Sequence, residues 1–134
     1  MKVKKPEKLN TINHISTDFC VAKGDTGATS HYWKQTDRHI LKNIKKVNGP
    51  SVQLPNNTVI SATEQGDLPL PREFSDNARK ATILPDLKSA NLISLGQLCD
   101  DNCTILLNKQ QMIAVKNNKI ILEGVRNRHD GLWD

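Results

Sequence analysis

The sequence predicts an all-β domain, a sandwich or barrel with one or two short helices. Three observations predict it. Apolar residues fall in many short runs with strand-like alternation, clearest at Cys103–Leu107, Met112–Val115 and Lys119–Glu123. Turn residues separate those runs, with Asn56-Asn57, Pro85-Asp86 and Asn117-Asn118 the plainest breaks. Helical spacing is confined to short stretches. A chain of 134 residues suits one compact domain, and with 37% hydrophobic and 4% aromatic residues its core must come from Ile, Leu and Val. Such a core is modest, so further burial in an oligomer is expected.

In chain order, residues 1–13 form a basic leader, either loose or an added strand, and residues 14–134 form the domain. The β-rich stretch His14–Ala22 is a strand with Ile15, Phe19 and Val21 on one face. A glycine-flanked turn follows at Gly24-Asp25-Thr26-Gly27. Thr36–Lys46 carries Ile40, Leu41 and Ile44 at helical spacing, and Gly49-Pro50 ends it. Ser51–Ile60 is a β-hairpin with Val52 and Leu54 alternating and Asn56-Asn57 at its tip. Residues 61–70 continue as a strand through Gly66, Leu68 and Leu70, with Pro69 and Pro71 marking an edge or exit. Arg72–Lys80 is polar and reads as a loop. Ala81–Leu84 is a strand, Asn91–Leu95 a second apolar run ending at Gly96, and Gln97–Cys99 begins a short helix. The alternating tail closes with a hairpin at Asn117-Asn118.

Composition narrows the function. No apolar run approaches the ~18 residues of a membrane span, and no apolar signal core follows MKVKKPEKLN, so neither a membrane partner nor secretion is expected. Cys20, Cys99 and Cys103 are odd in number and irregularly spaced, which fits a reducing compartment rather than a disulfide framework. Cys99 and Cys103 lack a second pair and a nearby His, so no metal or other cofactor is expected. The net charge of +5 is spread out with few aromatics beside it, so nucleic acid is not expected as a specific partner. His31, Tyr32 and Trp33 are assigned to packing, and His14, His39 and His129 to the surface.

The chemistry sits in an ordered set of motifs: DTGATSH at 25–31, the hairpin VQLPNNTVI at 52–60, ILPDLKSANLISLGQL at 83–98 and GVRNRHDGLW at 124–133. An Asp between small residues on a tight turn is either an ordinary turn or a carboxylate presented where backbone must approach closely. In this order the motifs resemble a retropepsin, the half-sized aspartic protease of retroviruses and LTR retrotransposons, and most closely the copia-type branch. The resemblance runs from about Phe19 to Trp133. It implies a closed acid-protease barrel with half a site per chain. Asp25 is then the catalytic acid. Thr26 bonds across to a second copy, Gly27 lets substrate approach, and Ala28 lines the pocket edge. Leu54, Pro55, Asn56, Asn57 and Thr58 form the tip of a flap over an extended peptide. Ile93, Leu95 and Gly96 support the catalytic loop from behind. The implied setting is intracellular, in virus-like particles, with a Gag-Pol type polyprotein as substrate. Two features depart from the pattern. Lys23-Gly24 interrupts the apolar approach to Asp25, which implies a loosened or bulged strand or a loop out of its working form, and Gln97 follows the supporting glycine.

Hydrolysis by this route needs two neighbouring carboxylates, one ionised and one protonated. Asp37, Asp67, Asp76, Asp86, Asp100, Asp101, Asp130 and Asp134 lack the small-residue frame, so the second carboxylate must be Asp25 of another copy. A homodimer is therefore an expectation of the chemistry. The competing reading from another class is a catalytically inactive retropepsin-like domain that dimerises or binds peptides.

Overall fold

The computed structural model describes residues 1–5, 19–48, 51–53 and 57–134. It is mostly β: a seven-stranded sheet curled into a half barrel, a three-stranded sheet, and a two-stranded hairpin. The large sheet runs β1 (Lys2–Lys4), β2 (Phe19–Asp25), β9 (Asn91–Ser94), β3 (His31–Lys34), β8 (Lys80–Leu84), β7 (Glu64–Asp67) and β4 (Lys42–Lys46). The hairpin pairs β5 (Ser51–Gln53) with β6 (Val59–Ser61). The small sheet is β10 (Thr104–Leu107), β11 (Gln111–Lys116) and β12 (Lys119–Val125). The β11–β12 turn needs two left-handed residues, and Asn117 (φ 52°) and Asn118 (φ 61°) supply them. One core cluster joins the two larger sheets, with Trp33, Ile83, Ile93 and Leu98 meeting Met112 and Ala114. Among the described residues, no helix is long and apolar enough to cross a membrane.

The order of strands in the tail matches the reading of the sequence, and several local expectations are corrected. The part of the leader that is described, Lys2–Lys4, is an added strand paired antiparallel with β2, and residues 6–18 lie outside the described residues. Phe19 and Val21 face outward, at 46% and 50% exposure, and the inward face is Cys20, Ala22 and Gly24. Small residues face in because Met1 and Leu95 close over them, while the Lys2 ammonium covers the Phe19 ring 4.6 Å from its centroid.

Thr36–Lys46 is not one helix. A 3-10 helix spans Gln35–Ile40 and the chain then extends as edge strand β4, bulged against β7 between Lys42 and Lys45 with Asn43 at φ 52°. Gly66 makes this possible: a Cβ there would sit 2.9 Å from the Leu41 Cβ and 3.1 Å from the Ile44 Cγ1. The helical spacing of Ile40, Leu41 and Ile44 is thus satisfied by a tight turn plus a strand reaching one core. The stretch 61–70 is also broken, ending β6 at Ser61 and resuming as β7, with buried Leu68 and Leu70 beyond any strand. Within Arg72–Lys80 lies a short helix, α1 (Asp76–Arg79). Its last residue, Arg79, satisfies the carbonyls of Leu68, Leu70, Pro71 and Phe74 in the loop before it.

Candidate active site

Strands β2 and β9 run parallel, in continuous register from Ala22 opposite Asn91 to Asp25 opposite Ser94. Asp25 is therefore the last residue of its strand, set beside the end of β9. The half-buried carboxylate turns back on its own loop, with Oδ1 accepting the Gly27 N–H at 2.8 Å. Thr26 and Gly27 are exposed at the front. A Cβ at Gly27 would meet only the Asp25 Oδ1, at 3.4 Å, so the space before the turn is open.

The rear of the turn is buried. Ile93 is fully enclosed and Leu95 nearly so. Leu95 and Gly96 do not continue the strand; they open helix α2 (Leu95–Cys99). Ser94 caps that helix, its Oγ accepting the Gln97 N–H at 3.0 Å, and the same Oγ donates to the Ala28 carbonyl at 2.7 Å. Gln97 does not return to Ser94, as the reciprocal capping arrangement would have it. Its Oε1 accepts the His31 N–H at 2.9 Å, and its amide donates to the carbonyls of Asn77 and Lys80. The Ser94 N–H goes instead to the His31 ring.

The departure at Lys23-Gly24 has its cause in the C-terminal segment and produces no bulge. The Gly24 N–H donates to the Trp133 carbonyl at 2.6 Å. A Cβ at Gly24 would lie 3.1 Å from the Met1 Cε and 3.3 Å from the Leu95 Cδ2. Glycine lets the C-terminal segment run beside β2. The Lys23 ammonium reaches Asp130 at 2.8 Å and Asp134 at 2.6 Å, which hold it above its ordinary pKa while it holds both carboxyls below theirs.

In front stands the β5–β6 hairpin. Its footing is a small apolar cluster, where Val52 and Tyr32 pack on Ala62, Leu84 and Leu87. The Gln53 amide donates to the Asn57 Oδ1 at 3.2 Å, and Asn57 takes the left-handed turn conformation, φ 66°. Thr58 is exposed beside it, while Leu54, Pro55 and Asn56 of the expected tip lie outside the described residues. A cleft of about 370 Å³ separates hairpin from turn, lined by Asp25, Gly27, Ala28, Tyr32, Leu92, Val52, Gln53 and Asn57. Roomier clefts of about 460 and 530 Å³ lie along β4 and β7, each with lysines in its wall. Neither contains the Asp25 turn, so size does not select the site here.

The structure thus brings together Asp25, Gly27, Ala28 and Asn57 around one cleft, with Ile93 and Leu95 enclosed in the core. Sequence reasoning missed Tyr32 and Leu92 as cleft walls; they face each other across the β3–β9 pairing. It also missed Ser94, for which the Ser94-x-x-Gln97 spacing was an available signal. No family model, curated protein or solved structure matches the chain.

Proposed function

We propose that this chain is a retropepsin-like aspartic endopeptidase of copia type, active as a homodimer and processing a retrotransposon polyprotein inside the cell. One observation carries the reading: Asp25 ends a strand on a small-residue turn and opens into a cleft roofed by a hairpin. In a symmetric pair, two Asp25 carboxylates share one proton. The ionised one takes a proton from water as it attacks the scissile carbonyl, and the protonated one supplies a proton to the developing oxyanion. Open space before Gly27 admits an extended peptide backbone, and the hairpin offers strand-like hydrogen bonds to it. Leu92, Val52 and Tyr32 give the cleft apolar walls for substrate side chains.

A second reading is favoured by one fact: the cleft of a single chain holds one carboxylate. Without a partner copy it binds peptide and does not cut. One experiment separates the two. The chain is incubated with a diverse peptide library between pH 4 and 7, beside Asp25→Asn, and its association state is measured by ultracentrifugation. Cleavage by the dimer that falls by at least about 10²-fold in Asp25→Asn supports the protease. Peptide binding without cleavage, unchanged in Asp25→Asn, supports the binding module.

A further inference from the structure

We propose that His31 is a positioning residue for the Asp25 turn, a neutral buried brace whose protonation releases the Ala28 carbonyl and opens the turn from behind. The role rests on the protease reading; the brace itself does not.

The bonds around His31 fix its chemistry. Its ring is fully buried. Nε2 lies 2.6 Å from the Ala78 carbonyl, and Nδ1 lies 2.9 Å from the Ser94 backbone nitrogen. A carbonyl only accepts and a backbone N–H only donates, so the ring must be neutral with its proton on Nε2. The two partners belong to different parts of the molecule: Ala78 to α1, Ser94 to the junction of β9 and α2. His31 also offers its own N–H to Gln97, and Gln97 donates to the corner carbonyls of Asn77 and Lys80. Ser94 closes the ring of contacts by donating its hydroxyl to the Ala28 carbonyl, three residues beyond Asp25. The turn is thereby fastened to α1 and α2 through one imidazole.

Adding a proton to Nδ1 would set two N–H donors face to face where 2.9 Å now separates donor from acceptor. The Ser94 N–H would lose its partner inside the protein, and the hydroxyl that holds Ala28 would lose its seat. Among the described residues, no carboxylate is placed to receive the charge. Around the ring, Asp76 and Lys80 are exposed, and Arg79 is spent on loop carbonyls. Cys99 is exposed, and Asp25 is engaged by Gly27. Burial accordingly pushes the ring down to about 4. The sign follows. The unfolded chain takes up this proton near the ordinary histidine value of ~6.5, whereas the folded chain resists it until about 4. Stability from this group is complete above the unfolded value and falls as the pH drops towards 4.

The test is an NMR titration of the full chain from pH 3 to 8 in the Asp25→Asn background, which removes the neighbouring carboxyl as a competing source of shifts. The readouts are the His31 ring carbons, the Ser94 amide nitrogen and the Ala28 carbonyl carbon. The expected result is one shared midpoint near 4 for all three. In His31→Asn, the Ala28 and Ser94 step should vanish. A ring that titrates near its ordinary value, or an Ala28 carbonyl that stays still while the ring titrates, overturns the proposal. If His31→Asn does not fold, the shared midpoint in the parent decides alone. Cleavage by the Asp25 chain supplies a separate arm. His31→Asn should keep its rate below pH 4, where the parent loses at least half. An unchanged acid limb overturns the positioning role, while absence of cleavage at every pH counts against the protease reading and leaves the NMR result to judge the brace.

Discussion

Behind the Asp25 turn, Ser94, His31 and Gln97 bond to one another, to the Ala28 carbonyl and to the corner at Asn77–Lys80; in front of it, the hairpin reaches the cleft with Val52, Gln53 and Asn57. In the rear, His31 and Ser94 are fully buried and Gln97 half-buried, and none of the buried side-chain polar atoms among the described residues lacks a partner. The front stands on two three-residue strands that bury Ile60 and half-bury Val52. Under the proposed protease function, the contrast teaches where each job would be done. A carboxylate that must meet a second one needs a rigid back. A roof that must admit and release a peptide needs few buried contacts, because local stability scales with them.

The sharpest way to break the comparison is to hollow the rear. Ile93 is fully enclosed beside the turn, so Ile93→Ala removes packed methylenes and leaves a cavity. We expect a loss of about 3–4 kcal/mol in urea unfolding. A loss under ~1 kcal/mol would mean that the rear collapses easily and is not the stiff element.

The next effect tests the polar half of the same wall. Asn91 is fully buried and ties three elements together. Its amide donates to the Asp37 carboxylate at 2.7 Å and the Val21 carbonyl at 3.3 Å, and its Oδ1 accepts the Lys34 N–H at 2.8 Å. Asn91→Ala strips partners from all three, and about 2–3 kcal/mol should be lost in the same assay. Near-neutrality would show that water replaces the amide and that the wall is wetter than its burial implies.

How much of this was legible follows from where each signal resides. The Asp25 turn, the apolar strand behind it and the Asn117-Asn118 hairpin are local patterns, carried by residues adjacent in sequence. The direction in which Phe19 and Val21 face is not local: it depends on Met1 and Leu95 filling the other side of β2. Ile40, Leu41 and Ile44 misled for a similar reason, since the space that turned a helical spacing into a strand is Gly66, more than twenty residues on. The brace was half legible. Ser94 and Gln97 announce a helix cap, but only tertiary folding brings the His31 ring between the Ser94 N–H and the Ala78 carbonyl. The C-terminal segment beside Gly24 was hidden too, because the reason for that glycine lies at Trp133.

The smallest effect sharpens the comparison most. Gln53 is exposed, and among the described residues its amide bonds the Asn57 side chain across the hairpin. Nothing in the core depends on it, so Gln53→Ala should change unfolding stability by less than ~0.5 kcal/mol. The same residue lines the cleft, where its amide can meet an extended peptide. If the hairpin is the roof of a protease site, losing one hydrogen bond should raise KM about three- to tenfold. A contact made equally to bound substrate and transition state leaves kcat unchanged. The two measurements, taken on one variant, ask whether front and rear are separate devices. A stability loss above ~1 kcal/mol would place the hairpin among the structural elements and erase the distinction. A fall in kcat at constant KM would move Gln53 from holding the peptide to acting on the reaction itself.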